Sequence, residues 1–465
     1  MSFTQLEFFI FLSVLIPTCM LIKKNSLRKG ILLLASYYFY AYWDLRFLPL
    51  LLVPTLVDFN IGKKLNIYQG KRARNILITV SITVNLLILG FFKYYNFFID
   101  SFKIMLNPLG IDLETMDILL PLGISFFTFS TLTYTIDVYR QKIEPCKSIL
   151  DYALFIAFFP KLIAGPISRA SHLLPQFRQV APIDNDRLFR GLTLMVSGLF
   201  IKVFLADRLA LYVDPIFQSP NVYSWITLWC GSIAYSLQIY FDFAGYSQMA
   251  IGFAALLGYD LEKNFDFPYL SKNISEFWRR WHITLSNWIR DYIYIPLGGN
   301  RKGRCRTYFN LLLAMALCGL WHGAAWTFVF WGVFHGMALA FHRLYKNFSI
   351  GNNQAFFIQN MANWALTTCI VVLGWVFFRA EDFTNAWQML QGMFIFQNGF
   401  IWIYPFFVFV LLSTILLHII HYTGITQFHL LPQNAWYTPA VIISLLLLTI
   451  IFKPEGFNPF IYAQF

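Results

Sequence analysis

"LCGLWHGAAW", residues Leu317 to Trp326, places one histidine, His322, inside an apolar run. Removing an imidazole from water costs free energy, so a histidine in such a run is usually retained for function. The alternative is a core histidine that only hydrogen-bonds a neighbour. We predict His322 as a candidate catalytic base. Its neighbours Trp321 and Gly323 are candidate substrate contacts. In particular, the glycine allows backbone or substrate to approach closely.

The composition around this stretch indicates a membrane protein. The chain has 465 residues, of which 58% are hydrophobic and only 12% are charged, whereas soluble domains carry roughly 25% charged residues. Successive apolar runs predict an all-α polytopic fold of about ten to twelve membrane-embedded helices, including re-entrant segments. The six cysteines form no C-x-x-C motif, so we expect packing thiols without a disulfide framework or a zinc site.

The net charge of +12 is distributed in a way that excludes nucleic-acid binding. The basic residues cluster in short loops between apolar runs, at 23–29, 63–74, 140–147 and 263–306. This pattern predicts that these loops lie on the cytoplasmic side of the membrane and that both termini lie outside. The first apolar run precedes its lysines, which indicates a retained span and no cleaved signal peptide.

Two segments are unlike simple spans. Residues 151–169 contain Pro160, Lys161, Gly165 and Pro166 in an otherwise apolar run, and we interpret them as a re-entrant segment with broken backbone. The stretch EFWRRWHITLSNWIRDYIY alternates tryptophan and arginine at helical spacing, so we expect it to lie at the cytoplasmic interface.

That interfacial stretch holds further candidate residues. His282 could reach the protein interior from the inner side, and Trp288 and Arg290 follow it on the same stretch. A structural histidine is the alternative for His282. The basic cluster NRKGRCR at 300–306 is interpreted as a topogenic loop, although it could also attract phosphate or an acidic carrier protein.

Other polar residues in apolar surroundings are weaker candidates. Asp242 lies in SLQIYFDFAGYSQMAIG, where it is either a functional carboxylate or a structural hydrogen-bond partner. His335 and His342 are seven residues apart, but H-E-x-x-H and nearby carboxylates are missing, so no metal site is predicted. The last six residues, FIYAQF, are either an interfacial aromatic anchor or a tail that brings Tyr462 into an active centre.

Taken together, these motifs resemble the membrane-bound O-acyltransferase (MBOAT) family, in its bacterial alginate- and peptidoglycan-acetylating branch. The resemblance runs from LLLASYYFYAYWD through FFPKLIAGPISR, IYFDFAGYSQMAIG and NISEFWRRWHITLSNWIRDYIYIPLGGNR to LWHGAAWTFVFWG and GWVFFRAEDF. It implies that His322 is the catalytic histidine and that His282 is a second histidine lining a funnel. A C-terminal aromatic tail with a tyrosine resembles a motif proposed to carry the acyl group, which implies a catalytic role for Tyr462.

The resemblance also implies the reaction. An acyl group, expected to be acetyl, would pass from a cytoplasmic thioester, acetyl-CoA or an acyl-carrier protein, to an extracytoplasmic polysaccharide such as peptidoglycan or alginate. No bound cofactor is expected. Expected partners are a soluble or periplasmic O-acetyltransferase, an acyl-carrier protein where this is the donor, the polysaccharide and membrane lipid, and the expected location is a bacterial inner membrane. We expect a central funnel whose inner part is lined by His282, Trp288 and Arg290 and whose outer opening lies near Tyr462.

The resemblance predicts one membrane domain over 1–465. Its parts would be N-terminal helices at 1–139, a catalytic core at 140–345, C-terminal helices at 346–459 and the aromatic tail at 460–465. Teichoic-acid D-alanyl transfer, which shares both histidines, is an alternative within the family. A polysaccharide or small-molecule transporter would also explain the spans, although we find no inverted repeat. A scaffold for a periplasmic transferase is a third possibility, and it predicts that both histidines are dispensable.

Overall fold

The computed structural model describes residues 1–348, 357–422, 435–455 and 459–461, and the regular structure of these residues is helical with no β-sheet. They divide into two compact units. The first comprises Met1–Met195 and Ser247–Glu262, and the second comprises Val196–Tyr246 and Lys263–Phe465. The predicted single domain with its internal boundaries stays a prediction.

Ten α-helices begin in the first unit. They are α1 (Leu6–Leu21), α2 (Asn25–Ala41), α3 (Leu48–Ile67), α4 (Lys71–Leu89), α5 (Tyr95–Leu106), α6 (Ile124–Tyr139), α7 (Ile149–Ala157), α8 (Phe159–Leu162), α9 (Ala170–Arg178) and α10 (Asn185–Phe200).

Ten more begin among the described residues of the second unit. They are α11 (Asp207–Gln218), α12 (Trp225–Leu256), α13 (Ile274–Arg280), α14 (Ile283–Ile289), α15 (Arg304–His322), α16 (Trp326–Phe348), α17 (Phe357–Arg379), α18 (Phe383–Phe394), α19 (Pro405–Tyr422) and α20 (Thr438–Ile451).

Several of these helices are suited to a membrane. Within the described ranges, four helical stretches are long and apolar enough to cross a bilayer: Leu45–Ile67, Lys71–Lys103, Asn185–Gln218 and Ile358–Arg379. Three shorter apolar helices, α1, α19 and α20, accompany them. The helical content and these spans confirm the predicted class, an all-α polytopic membrane protein.

The first unit contains the predicted break at 151–169. The helix α7 ends at Ala157, and Phe158 adopts φ −53° and ψ 105°, after which α8 begins. Both short helices are buried in protein, which is where broken backbone is tolerated at membrane depth. The Lys161 ammonium donates to the Ser130 hydroxyl at 3.1 Å. The break is confirmed, and entry and exit of this segment on one side of the membrane stays a prediction.

A buried polar network joins three helices of the same unit. Asp58 on α3 accepts hydrogen bonds from Ser81 Oγ at 2.6 Å and Asn85 Nδ2 at 2.8 Å, both on α4. Thr131 Oγ1 on α6 donates to Asn85 Oδ1 at 2.6 Å. Polar side chains removed from water need such partners, so this network ties α3, α4 and α6 to one arrangement.

In the second unit, the stretch with alternating tryptophan and arginine is not a continuous helix. It forms α13 and α14, which are interrupted at Trp281 and His282. His282 has φ 41° and ψ 56°, in the left-handed region that L residues seldom occupy. The spacing of apolar and basic residues is helical along the whole stretch, but the backbone turns at Trp281 and His282. A continuous helix is therefore not formed.

Candidate active site

The hairpin of α15 and α16 positions His322. His322 is the last residue of α15, Gly323 follows it as the C-cap, and α16 begins three residues later. Its side chain is buried. The apolar run around His322 therefore folds as a helical hairpin, and the histidine lies at its bend.

Glycines allow the two helices of the hairpin to pack closely. A Cβ added at Gly319 would lie 2.1 Å from the carbonyl oxygen of Phe328, and one added at Gly332 would lie 2.1 Å from that of Met315. Small residues allow backbones to approach in this way in membrane proteins. Gly319 lies one turn before His322, so this contact fixes the end of α15 that carries the histidine.

Aromatic rings surround His322. Its ring centroid lies 4.8 Å from that of Trp321, 5.1 Å from that of Trp331 and 5.3 Å from that of Phe378. All three rings are buried. Gly323 has a packing role in this setting, because a Cβ there would lie 2.2 Å from the Phe328 ring.

His282 lies between α13 and α14 and is fully buried. Its Nδ1 lies 3.0 Å from Asn264 Oδ1, which also accepts hydrogen bonds from the Thr284 backbone N–H at 3.3 Å and the Thr284 hydroxyl at 2.9 Å. A backbone N–H can only donate, so the amide oxygen of Asn264 faces these groups and Nδ1 carries the proton. Nε2 is then the basic nitrogen of His282.

Burial also sets the protonation of His282. This residue lies outside the four long spans, and desolvation lowers its pKa from the ordinary value to about 3. The physical cause is that an apolar environment disfavours the charged imidazolium. His282 is therefore a neutral imidazole at physiological pH, with one N–H held by Asn264.

The two candidate histidines lie together in the second unit. Their ring centroids are 6.5 Å apart at an angle of 61°, and the Trp321 ring lies 6.0 Å from His282. At this spacing, one small substrate group could contact both imidazoles. Phe243 on α12 packs edge-on against His282, with centroids 4.6 Å apart.

Two predicted substrate residues have other surroundings. Trp288 is buried on α14, with its ring 5.2 Å from that of Tyr292. The Arg290 side chain is more than half exposed and its Nε donates to Asp291 at 2.7 Å. The structure therefore brings His282, His322 and Trp321 together, whereas the funnel-lining roles of Trp288 and Arg290 stay predictions.

Asp242 on α12 belongs to a buried charged cluster. It pairs with Lys202, which also donates to Asp207 at 2.6 Å. The second oxygen of Asp242 accepts the backbone N–H of Ile461 at 2.9 Å. Tyr462, the residue after this contact, lies outside the described residues.

Sequence reasoning did not single out Asn264, Phe243 and Lys202. Lys202 lies in the apolar run GLFIKVFL and could have been noticed as a buried cation. Asn264 lies in a polar segment, where an asparagine attracts no notice. Among the described residues, no group of three His, Cys, Asp or Glu side chains could hold a metal ion.

Comparison with known proteins identifies the family. The model of MBOAT, the membrane-bound O-acyltransferase family, matches residues 32–380. A Pseudomonas aeruginosa protein named "Probable alginate O-acetylase AlgI" is 44% identical over 373 residues, which cover 79% of this chain and 70% of the relative.

Two other relatives are named for other polymers, and one of them is also named for another acyl group. The "Peptidoglycan O-acetyltransferase" of Helicobacter pylori is 38% identical over 397 residues, covering 80% of this chain and 74% of the relative. The "Teichoic acid D-alanyltransferase" of Streptococcus thermophilus is 29% identical over 262 residues, covering 52% and 63%. With the family match and these relatives, the chain belongs to the membrane-bound O-acyltransferase family and is an acyltransferase.

Proposed function

We propose that the protein transfers an acetyl group from a cytoplasmic thioester to hydroxyl groups of an extracytoplasmic polysaccharide, with His322 as general base. The observation that carries this proposal is the buried pair of His322 and His282, with the Trp321 ring adjacent to both. The acetylating relatives match about four fifths of the chain, whereas the D-alanylating one matches about half. This difference favours acetyl over D-alanyl.

Acyl transfer to a hydroxyl needs a base, because the oxygen becomes a strong nucleophile only as its proton leaves. A neutral histidine suits this step near pH 7 and typically accelerates it roughly 10²- to 10⁴-fold. In our proposal the neutral ring of His282 packs against the acyl group from the other side of the same space, because its unprotonated Nε2 can only accept a hydrogen bond and a thioester acyl group donates none. His282 orients the acyl group while His322 moves the proton.

The acceptor in the membrane is Tyr462 of the chain's own tail. Its phenolic oxygen attacks the thioester carbonyl, His322 takes the phenolic proton, the C–S bond breaks and the proton leaves with the thiol. A phenol has a pKa of about 10, so its ester is more reactive than an alkyl ester. A polysaccharide hydroxyl, bound by a partner transferase outside, then takes the acetyl group and returns a proton to the phenolate.

Proteoliposomes with labelled acetyl-CoA or acetylated carrier protein test this function. We expect His322→Ala to lose at least about 99% of transfer, given the usual size of general-base catalysis. His342→Ala is the matched control, because His342 is a partly exposed histidine on α16 of the same hairpin. Comparing the two donors identifies the thioester that is used.

Two outcomes would contradict the proposal. Retention of more than about a tenth of the activity in His322→Ala excludes a general-base role and favours a scaffold. Full activity in Tyr462→Phe, which removes only the hydroxyl, excludes the relay and leaves the tail as an aromatic anchor.

A further inference from the structure

The Lys202 cluster consists of the charged side chains of Lys202, Asp207 and Asp242. These side chains have no role in the reaction proposed at His322 and His282. The Lys202 ammonium donates to one oxygen of Asp207 and one oxygen of Asp242, and Lys202 and Asp242 are both buried. Lys202 lies in a π-helical stretch, Ile201–Ala206. Such irregular turns are often found at functional sites.

A glycine makes this cluster possible. A Cβ at Gly245 on α12 would lie 2.7 Å from the carbonyl oxygen of Gly198 and 2.9 Å from the backbone nitrogen of Lys202. Because Asp242 lies one turn before Gly245, this close approach brings its carboxylate alongside the Lys202 ammonium. The close packing of α12 against the backbone at Gly198 and Lys202 therefore allows the Lys202–Asp242 ion pair to form.

The C-terminal tail makes two contacts with this cluster and one with a neighbouring ring on α12. Asp242 Oδ2 accepts the Ile461 N–H at 2.9 Å, the Lys202 ammonium lies 4.8 Å from the centre of the Phe460 ring, and that ring packs edge-on against Tyr246 at 4.3 Å. Phe460 is buried. A hydrogen bond to an ionised carboxylate and a desolvated cation–π contact are stronger than their neutral equivalents.

We propose that Lys202 and Asp242 form a dock that holds the tail at residues 460–461, immediately before Tyr462. They are positioning residues, and their importance for acyl transfer rests on the relay function proposed above. The location of the dock supports this role, because Phe243, the neighbour of Asp242 on α12, packs against His282. Consecutive residues of one helix thus contact the tail and the active-site histidine.

Hydrogen exchange of the full-length protein in detergent tests the dock directly. In the wild type, we expect the Ile461 amide to be protected within the C-terminal peptide. Asp242→Ala removes the acceptor, so exchange of this amide should become roughly ten- to a hundredfold faster. Phe460→Ala leaves the charged cluster intact and should also accelerate exchange of the Ile461 amide. This second variant keeps the dock testable if Asp242→Ala does not fold.

The matched control is Asp214→Ala, which breaks the ion pair with Arg379 in the same unit and lies outside the described contacts of residues 460–461. It should leave exchange of the tail unchanged. Unchanged exchange in both Asp242→Ala and Phe460→Ala would overturn the dock.

Polymer acetylation separates the dock from the relay. If the dock serves the relay, Asp242→Ala and Phe460→Ala lose acetylation together with tail protection, and Tyr462→Phe loses acetylation with its protection retained. Loss of protection in Asp242→Ala and Phe460→Ala, with normal acetylation in all three variants, supports the dock and contradicts the relay.

Discussion

At the residue scale, the active site depends on how each imidazole is oriented. Asn264 Oδ1 accepts from both His282 and the backbone of Thr284, which fixes the tautomer of His282 without an ion pair. A neutral partner suits a histidine that has to stay uncharged, because a carboxylate in its place would favour the imidazolium.

Replacing Asn264 by aspartate should therefore change the pH dependence. In the wild type, burial holds the pKa of His282 at about 3, so lowering the pH from 8 to 5 does not charge this residue. In Asn264→Asp the carboxylate raises that pKa, and transfer activity should fall as the pH decreases within this range. The measurement is a pH–rate profile in proteoliposomes.

Asn264→Ala is the control for this experiment. It removes the orienting hydrogen bond without adding charge, so activity should decrease roughly tenfold at every pH, the size of one lost hydrogen bond. An active Asn264→Asp enzyme whose profile parallels that of the wild type would contradict the assigned role of Asn264.

Single residues differ in how far sequence alone could assign them. His322 and Asp242 stand out because a polar side chain in an apolar run is visible without knowledge of the fold. The partners are not visible in this way. Asn264 lies 18 residues before His282 and Lys202 lies 40 residues before Asp242, and only the path of the chain brings them together.

At the element scale, the α15–α16 hairpin determines where His322 lies. We expect Gly319→Ala to separate the two helices, because its Cβ would overlap the carbonyl oxygen of Phe328. Overpacking of this kind typically costs about 1–3 kcal/mol. Thermal unfolding in detergent should show a lower midpoint, and acyl transfer should decrease because His322 is one turn away.

Gly30→Ala on α2 is the matched control, since a Cβ there meets no atom within 4 Å and alanine favours helix. Its unfolding midpoint should be equal to that of the wild type or slightly higher. Equal midpoints for Gly30→Ala and Gly319→Ala would show that the hairpin tolerates the added methyl.

The sequence predicted element boundaries correctly where proline or glycine residues interrupt a helix. The prolines and glycine of 151–169 predicted a broken helix, and the structure breaks at Phe158. The stretch around His282 has no proline or glycine to mark its turn. Its helical periodicity continues across a left-handed residue that tertiary contacts, including those of Asn264, hold in place.

At the scale of the whole molecule, the proposed reaction requires the donor and the tail to lie on opposite sides of the membrane. The composition and the apolar runs of the sequence predicted a polytopic membrane protein correctly, because a segment that crosses the lipid bilayer must be apolar. The sidedness rests on the distribution of basic loops alone, and it therefore requires its own test.

Cysteine accessibility in intact spheroplasts provides that test. The native Cys305 is exposed and lies in the basic segment predicted to be cytoplasmic, so an impermeant maleimide should label it only after lysis. Asp112 lies in an acidic loop between the basic loops at 63–74 and 140–147, so we expect Asp112→Cys to lie outside. A cysteine appended after Phe465 would mark the tail. With Cys305→Ser as the background, both should react in intact cells.

The three labelled positions test the orientation of the protein and the location of its tail separately. Labelling of Cys305 before lysis would reverse the orientation deduced from the basic loops. Labelling of Asp112→Cys together with a protected C-terminal cysteine would keep that orientation and place the tail inside. In that case Tyr462 could not deliver an acetyl group to an extracytoplasmic polymer, and the relay would fail even though the histidine pair remained a site of acyl transfer.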